Sequence, residues 1–165
     1  MDKKSYAFGM SVASSLLQQG YDDINIDDFA AGLRFGLSAK SEGEKFLASI
    51  AADPEIRKTS SGLMYKVLKE GSGRKPTAED TVRCHYEGTF ADGQIFDSSY
   101  KRGEPAEFPL NGVIKGWTEG LQLMAEGSKY ELYLPYNLAY GERGAGSSIP
   151  PYCALKFVVE LIKVL

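Results

Sequence analysis

Apolar side chains recur at helical spacing through residues 1–52. The first stripe has intervals of three and four residues, which is the period of an amphipathic helix. It consists of Tyr6, Met10, Ala13 and Leu17. Gly20 is expected to end this helix, because glycine commonly follows the last helical turn.

Two further short helices are predicted before Pro54. Asp27 is expected to cap the second helix, which buries Phe29, Leu33 and Leu37. Ser41 followed by Glu44 has the spacing of a capping box, so a third helix is expected to begin there. Three short amphipathic helices cannot bury all their apolar residues among themselves. They therefore pack either on the rest of the chain or on a second copy.

From residue 61 apolar and polar positions alternate, which predicts β-strands. LMYKVLK is the first such strand. In TVRCHYEGTF, residues 81–90, one face carries Val82, Cys84, Tyr86 and Phe90. His85 falls on the opposite, polar face. This alternation is typical of a strand with one face on a core, and the turn ADGQ leads to another strand at Ile95 and Phe96.

The C-terminal part predicts one helix and two more strands. VIKGWTEGLQLM, residues 113–124, places Ile114, Trp117, Leu121 and Met124 on one helical side. KYELYLP and ALKFVVELIKVL predict strands, separated by a 17-residue loop from Pro135 to Pro151. A loop of this length in a compact domain is typically functional or disordered. Four or five strands with one helix laid across them predict an antiparallel α+β fold.

Composition and charge narrow the function classes. The formal net charge of −3 is spread over interspersed acids and bases, so no basic stripe marks a nucleic-acid interface. His85 is the one histidine and has no cysteine in phase with it, so no metal site is expected. No apolar run near the start is long enough for a membrane span or a signal peptide.

The two cysteines, Cys84 and Cys153, both fall in apolar strand patterns. We therefore expect buried free thiols rather than a disulfide. Free thiols are typical of a reducing compartment. A cytoplasmic location is expected, or a periplasmic one if a leader has been removed.

Conventional catalytic pairs are missing from the pattern. The serines at 98, 99, 147 and 148 have no histidine base in phase with them, and GERGAGSS lacks the ending of a phosphate-binding loop.

Aromatic residues are the remaining candidates for a site. The proposed periods let six of them point inward: Tyr86, Phe96, Phe108, Trp117, Tyr140 and Phe157. Any one alone is more typical of a core residue. Asp97 follows Phe96, and a buried carboxylate needs a partner, for which Arg102 is the nearest candidate. Such a set suits a ligand cavity better than a core.

Several separated motifs, in this order, resemble those of the FKBP-type peptidyl-prolyl isomerases: HYEG, DGQIFDSS, VIKGW and AYGERG followed by IPP. The resemblance covers roughly residues 60–165. SYAFGMSVASSLL and NIDDFAAGLRFGL resemble the dimerisation arm of bacterial members related to the macrophage infectivity potentiator. The resemblance implies a helical arm with connector over residues 1–58, an isomerase domain over 59–165, and a homodimer formed through residues 1–40.

The family resemblance implies a twisted antiparallel β-sheet wrapped around one α-helix, preceded by a small all-helical region. It also implies a proline pocket with Trp117 as its floor. The walls are Tyr86, Phe96, Phe108 and Phe157, with apolar surface from Val113, Ile114 and Ile149. The resemblance further implies that the Ile114 N–H and the Tyr140 hydroxyl bind substrate carbonyls and that Asp97 accepts hydrogen bonds from Tyr86 and Arg102. No cofactor is implied.

Proline-containing peptides and unfolded proteins are the implied substrates, and macrolides the implied inhibitors. Ala106 contributes no ring, so one wall of the pocket is thinner and macrolide affinity depends on the remaining walls.

Three function classes follow: a prolyl isomerase, a dimeric chaperone with little isomerase activity, and a hydrolase using Asp97, which fits least. Relatives join the arm to the domain through a long helix, whereas Ser41 to Asp53 gives only about 20 Å of helix at 1.5 Å per residue.

Overall fold

The computed structural model describes all 165 residues and contains four α-helices and seven strands. The helices are α1 (Lys3–Gln18), α2 (Ile26–Ala51), α3 (Ser99–Arg102) and α4 (Lys115–Leu123). The strands are β1 (Arg57–Lys58), β2 (Met64–Lys69), β3 (Thr81–Phe90), β4 (Ile95–Ser98), β5 (Ala106–Pro109), β6 (Lys129–Leu134) and β7 (Leu155–Val164). All strand pairs are antiparallel, in the order β1-β2-β6-β7-β3-β4, and β5 also pairs with β3.

The chain divides into two compact units, Met1–Phe35 and Gly36–Leu165. The division lies inside α2. The boundary predicted after residue 58 separates an arm from an isomerase domain by function, and it remains a prediction.

The first helix begins and ends much as its sequence predicts. The Asp2 side chain accepts a hydrogen bond from the Ser5 N–H at 2.8 Å, so it caps the start of α1. Gly20 follows the helix with a φ of 83°, a left-handed conformation that glycine adopts without strain. No residue of α1 is buried, and Tyr6, Met10 and Leu17 of its apolar stripe are each more than half exposed.

Three predictions about the following helices are wrong. Leu33 and Leu37, expected on the buried side of the second helix, are 47% and 85% exposed. Asn25, rather than Asp27, caps α2, because its side-chain oxygen accepts hydrogen bonds from the Asp27 and Asp28 N–H groups. No third helix begins at Ser41. Its hydroxyl donates to the Ser38 carbonyl oxygen at 3.1 Å inside the helix, an alternative to capping that serine often takes. α2 therefore runs unbroken to Ala51.

Strand β3 organises the sheet. Its residues alternate between half-buried and buried along all ten positions, which confirms the predicted pattern. One edge pairs with β7, and the other edge is shared by β4 near its end and β5 near its start. β5 was not predicted from the sequence, because its four residues are too few to display a period.

Helix α4 lies close to β6 because its contact stripe consists of glycines. A side chain on Gly116 would collide with Leu134, and one on Gly120 would lie 2.8 Å from Leu132. Leu121 on the same helix has no exposed surface and anchors it in the core. The structure confirms an α+β fold in which an antiparallel sheet packs on one helix.

Both cysteines are free and buried, as predicted. Burial raises the pKa of the Cys84 thiol to about 12 and that of Cys153 to about 11. None of the helices combines the length and the apolar character that crossing a membrane requires.

Candidate active site

A cavity of about 300 Å³ opens beside Trp117. Its lining comes from β3, β4, β5, α4, β7 and two loops. The lining residues are Tyr86, Phe96, Asp97, Phe108, Gly112, Val113, Ile114, Trp117, Tyr140 and Phe157. The space beside the indole is thus open, where a densely packed core would have excluded any ligand.

Trp117 forms the centre of an aromatic cluster. It lies in the first turn of α4 and is only 4% exposed. Three rings stand edge-on to it, each at 83–84° and with centroids 5.2–5.3 Å away. These rings belong to Tyr86, Phe108 and Phe157. Edge-to-face contacts of this kind are favourable beyond the burial of area, so they hold the walls in place.

Gly88 makes room for two of the walls, and sequence reasoning missed it. A Cβ atom on Gly88 would lie 2.5 Å from the Phe96 ring and 2.8 Å from the Phe157 ring. Those two rings meet edge-to-face, with centroids 5.6 Å apart. The available signal was a lone glycine inside an otherwise alternating strand, since such a glycine often marks a place where another group approaches the strand backbone closely.

Asp97, Tyr86 and Arg102 form a hydrogen-bonded group at one side of the cavity. The Tyr86 hydroxyl donates to Asp97 Oδ2 at 2.6 Å, and Arg102 Nη1 donates to Asp97 Oδ1 at 2.5 Å. Arg102 Nη2 also donates to the Tyr86 oxygen at 2.7 Å. The structure therefore joins the three residues as the resemblance implied, with Arg102 behind the lining rather than in it.

The Asp97 carboxylate is less buried than the sequence suggested, since 41% of its side chain is exposed. Partial burial alone would raise its pKa. Hydrogen bonds from Tyr86 and Arg102 outweigh that effect, so the pKa of Asp97 is lowered. Burial, and then the bond to Asp97, raise the pKa of Tyr86. At neutral pH the group therefore holds a carboxylate, a neutral phenol and a guanidinium.

Ser99 fixes the backbone of Tyr86 from behind, which sequence reasoning also missed. The Ser99 side chain has no exposed surface, and its oxygen accepts the Tyr86 N–H at 2.8 Å. The same hydroxyl lies 2.9 Å from His85 Nδ1, so the expectation that Ser99 has no histidine partner is wrong. Neither residue lines the cavity. Considering Ser99 only as a nucleophile hid this role, because the contact joins elements thirteen residues apart.

Polar groups without a partner in the protein lie at the cavity, and one of them is the buried Trp117 Nε1–H. Neither the Ile114 N–H nor the Tyr140 hydroxyl donates a hydrogen bond to another protein group. The Ile114 carbonyl oxygen instead accepts from the Trp117 and Thr118 N–H groups at the start of α4. Tyr140 is 39% exposed, and burial followed by the charge of Asp97 raises its pKa. Both groups are available to a ligand.

Ile149 does not line the cavity. It is buried, and its carbonyl oxygen accepts a hydrogen bond from the Ala145 N–H at 2.8 Å. It therefore braces the long loop that carries Tyr140. Gly112, by contrast, lines the cavity but was not singled out from the sequence.

Comparison with known proteins gives consistent results. A family model described as FKBP-type peptidyl-prolyl cis-trans isomerase matches residues 72–162. A second, described as the domain amino terminal to that isomerase, matches residues 35–67. The FKBP-type 22 kDa peptidyl-prolyl cis-trans isomerase of Escherichia coli (strain K12) is 40% identical over 193 residues, covering 98% of this chain and 94% of the relative. Because that alignment is longer than the 165 residues here, the relative contains residues that this chain lacks.

Other relatives extend the picture. The outer membrane protein MIP of Legionella longbeachae is 37% identical, covering 99% of this chain and 85% of the relative. Its name lends no support to the cytoplasmic location expected from the sequence. The chain spans about half the length of several further curated relatives.

The solved structures include a near match to the whole fold. The crystal structure of FkpA from Escherichia coli is 34% identical, with a TM-score of 0.77, and covers 99% of this chain and 73% of that one. Family, relatives and fold agree with the motifs and with the aromatic cavity. The chain therefore belongs to the family of FKBP-type peptidyl-prolyl cis-trans isomerases.

Proposed function

We propose that the cavity beside Trp117 receives the proline ring of an Xaa-Pro peptide and accelerates its cis–trans rotation there. The observation that carries this assignment is an open, ring-walled space of about 300 Å³ with no nucleophile–base pair in its lining. Prolyl isomerisation breaks no bond, so it needs neither group. Its barrier is amide resonance, about 18–20 kcal/mol.

The apolar walls supply the main catalytic effect. Resonance places negative charge on oxygen and positive charge on nitrogen in the planar amide, and twisting removes this separation. A cavity poor in water therefore favours the twisted amide relative to the planar one. Walls that grip the pyrrolidine ring select the same geometry by shape, which is differential binding of the transition state. A millionfold acceleration needs about 8 kcal/mol, which several such effects supply together.

Asp97 acts in this scheme as an ionised anchor for its neighbours. Its lowered pKa keeps the carboxylate charged at neutral pH, and both oxygens already accept hydrogen bonds. It therefore orients Tyr86 and Arg102 and contributes a fixed field at the cavity. It does not carry a proton, which argues against the hydrolase.

Ile114 and Tyr140 are the proposed contacts to the peptide backbone. Both residues line the cavity, and neither the Ile114 N–H nor the Tyr140 hydroxyl donates to a protein group. Each would donate to a substrate carbonyl oxygen. Such contacts orient the chain on either side of the rotating bond, so that rotation occurs about one bond only.

The test compares Asp97→Leu with Glu104→Leu in a proline-limited refolding assay and on a short Xaa-Pro peptide. Glu104 is exposed and lies outside the cavity lining, so it controls for loss of one surface charge. We expect the wild-type chain to act at substoichiometric amounts, Asp97→Leu to be slower yet active, and Glu104→Leu to match wild type. Complete loss in a folded Asp97→Leu protein would indicate acid–base chemistry instead.

A dimeric chaperone is the second candidate, favoured by the N-terminal unit. Within Met1–Phe35 a cavity of about 430 Å³ is lined mainly by apolar side chains, among them Phe8, Val12, Leu16 and Leu33. Such surface is rarely left uncovered in a monomer. We propose that residues 1–40 bury it against a second copy, so that two isomerase pockets hold one long client with avidity. Suppression of aggregation only near equimolar amounts, without isomerisation, would favour this role alone.

The dimer is tested by placing a charge on the apolar stripe. Leu17 lines the N-terminal cavity and is 62% exposed, so Leu17→Asp changes its surface without disrupting a core. Gln18→Asp on the same helix is the matched control. Light scattering over a range of concentrations should report a dimer for wild type and Gln18→Asp and a monomer for Leu17→Asp. A monomeric wild type would contradict the proposal.

Macrolide inhibitors are proposed for the same pocket and rest on the family resemblance. Ala106 lies in β5, outside the cavity lining, and contributes no ring to the wall.

The cytoplasmic location also stays a prediction, and fractionation of the source cells tests it directly. Detection in an exported fraction would reject it.

A further inference from the structure

The C-terminal part of α2 packs tightly on the segment that precedes β7. A Cβ atom placed on Gly43 would lie 3.0 Å from the Ala154 Cβ and 3.2 Å from the Ala154 backbone nitrogen. Both distances are shorter than ordinary van der Waals contact, so a side chain at position 43 would push the helix and the segment apart. Glycine is what allows the two backbones to approach this closely.

A second contact from the same helix reaches Tyr152. The Lys40 ammonium lies 5.2 Å from the centroid of the Tyr152 ring, within the range of a cation–π attraction. Lys40 and Gly43 are three residues apart on α2, so they share one face of the helix. The helix thus holds residues 152–154 at two points.

Tyr152 has an unusual backbone conformation. It is the one residue other than glycine with a positive φ, at 59°. For a bulky side chain this left-handed conformation is strained, and it persists only where surrounding contacts impose it. Besides Lys40, the Tyr136 ring meets the Tyr152 ring edge-to-face, with centroids 5.1 Å apart. The segment is therefore held in place by its neighbours rather than by its own preference.

The strained residue is bonded to the part of the loop that reaches the cavity. The Tyr152 N–H donates to the Gly141 carbonyl oxygen at 3.0 Å, and the Gly141 N–H donates to the Tyr136 carbonyl oxygen at 2.8 Å. Gly141 directly follows Tyr140, whose side chain lines the cavity and is 39% exposed. A continuous set of contacts therefore runs from α2 to Tyr140.

We propose that Lys40 and Gly43 are positioning residues that act through Tyr152 to hold Tyr140 at the cavity. Nothing else described for Tyr140 fixes its hydroxyl, which has no partner in the protein. The inference rests on the substrate-binding role proposed above for Tyr140. It makes α2 part of the machinery that orients the peptide, in addition to any role in dimerisation.

The main experiment compares Gly43→Leu with Gly36→Leu on a short Xaa-Pro peptide. Both glycines lie in α2, and a Cβ on Gly36 meets nothing within 4 Å, so the pair shares the gain in helix propensity and differs in the contact. We expect kcat/KM to fall by about 2–10-fold for Gly43→Leu, the equivalent of one hydrogen bond, and to stay at the wild-type value for Gly36→Leu. Equal kcat/KM in both variants would overturn the inference.

A double-mutant cycle with Tyr140→Phe separates positioning from general packing. If Gly43 acts through the Tyr140 hydroxyl, Gly43→Leu should cost little further kcat/KM once that hydroxyl is gone. Fully additive losses would mean that Gly43 serves stability alone, and the inference would be rejected. Lys40→Met, which keeps the aliphatic stem, should show the same non-additivity with a smaller loss.

A milder variant keeps the test open if Gly43→Leu does not fold. Gly43→Ala introduces only the close Cβ contact, and combining it with Ala154→Gly removes the opposing Cβ atom. The combined variant should recover part of the kcat/KM that Gly43→Ala loses. Absence of any recovery, in proteins of equal stability, would contradict the proposed route.

Hydrogen exchange distinguishes failure of this inference from failure of the proposed function. The Tyr152 and Gly141 amides should exchange faster in Gly43→Leu than in Gly36→Leu, whether or not the chain is an isomerase. An inactive wild type with this difference would reject the enzyme but keep the contact route. An active wild type without it, and with equal kcat/KM in both variants, would reject the route alone.

Discussion

Two apolar cavities of the molecule differ in how their walls are held. The cavity at Trp117 measures about 300 Å³, and its floor and three ring neighbours meet edge-to-face. The cavity within Met1–Phe35 is larger, about 430 Å³, yet Phe8 in its wall is 71% exposed and Ile26 is also 71% exposed. The larger cavity is therefore not the one with the better-held walls.

The difference lies in packing and in polar groups. The walls at Trp117 belong to a folded core. Beside this cavity, Asp97, Tyr86 and Arg102 hydrogen-bond to one another. The N-terminal cavity lies in a unit where α1 buries no residue at all. A pre-formed pocket can select a small group by shape, whereas an unburied helical surface gains most by association.

The largest expected contrast comes from deleting one aromatic ring in each cavity. Trp117→Ala should lower the free energy of unfolding of the unit Gly36–Leu165 by about 3–5 kcal/mol, because removing a buried ring leaves a void. Phe8→Ala should leave that unit unchanged, since Phe8 is mostly exposed. Urea unfolding at fixed protein concentration, monitored by circular dichroism, measures the free energy of unfolding of both variants.

The same two variants also separate the two functions. Phe8→Ala should weaken self-association while peptide isomerisation continues. Trp117→Ala, where it remains folded, should lose peptide isomerisation while self-association continues. A loss of peptide activity in Phe8→Ala would show that the two cavities are not independent.

A smaller contrast comes from the glycines. Gly88→Ala should cost about 1–3 kcal/mol of stability by overpacking, because its Cβ would meet the Phe96 and Phe157 rings. Gly9→Ala in α1, where a Cβ meets nothing within 4 Å, should gain about 0.5–1 kcal/mol from helix propensity. Thermal unfolding and kcat/KM provide the readouts. If Gly88→Ala proved as stable as wild type, the walls would be looser than their ring contacts indicate.

Smaller still is the expected effect of removing one hydroxyl. Tyr140→Phe should lower kcat/KM by the equivalent of about 0.5–1.5 kcal/mol, one hydrogen bond, while leaving stability unchanged. Tyr21→Phe, in the wall of the N-terminal cavity, is the control and should leave kcat/KM at the wild-type value. Steady-state kinetics on a short peptide measure the difference. No change in Tyr140→Phe would remove Tyr140 from the substrate contacts.

The smallest effect concerns pH. The pKa of Asp97 is lowered from its ordinary value of 3.8, so its contribution to stability is present above that value and disappears as pH falls through the lower folded pKa. Because 41% of the side chain is exposed, water screens the ion pair and the contribution is small. A profile of kcat/KM from about pH 5 to 9 should show no inflection due to Asp97. An inflection there that Asp97→Asn abolishes would assign it a proton-transfer role.

Regular periods made much of the fold predictable. The alternation along TVRCHYEGTF identified β3, and the spacing of Ile114, Trp117 and Leu121 identified α4. Hydrophobic burial imposes these periods directly, so they can be read from one chain. The bond between Asp97 and Arg102 was also predictable, because the two residues are only five positions apart.

Features that depend on distant contacts were not predictable. The meeting of Gly43 with Ala154 joins residues that no local pattern relates, and the unbroken α2 overrides the capping signal at Ser41. β5 is defined by its pairing with β3 rather than by its own four residues. In each case tertiary packing decided the outcome over local preference.

The two buried thiols have a consequence for where such a molecule can operate. Thiolate is the form that oxidants and disulfides attack, and the pKa values of about 12 and 11 leave Cys84 and Cys153 almost entirely protonated. Both thiols are therefore poor nucleophiles toward oxidants and disulfides. Two free cysteines of this kind do not by themselves tie the folded chain to a reducing compartment.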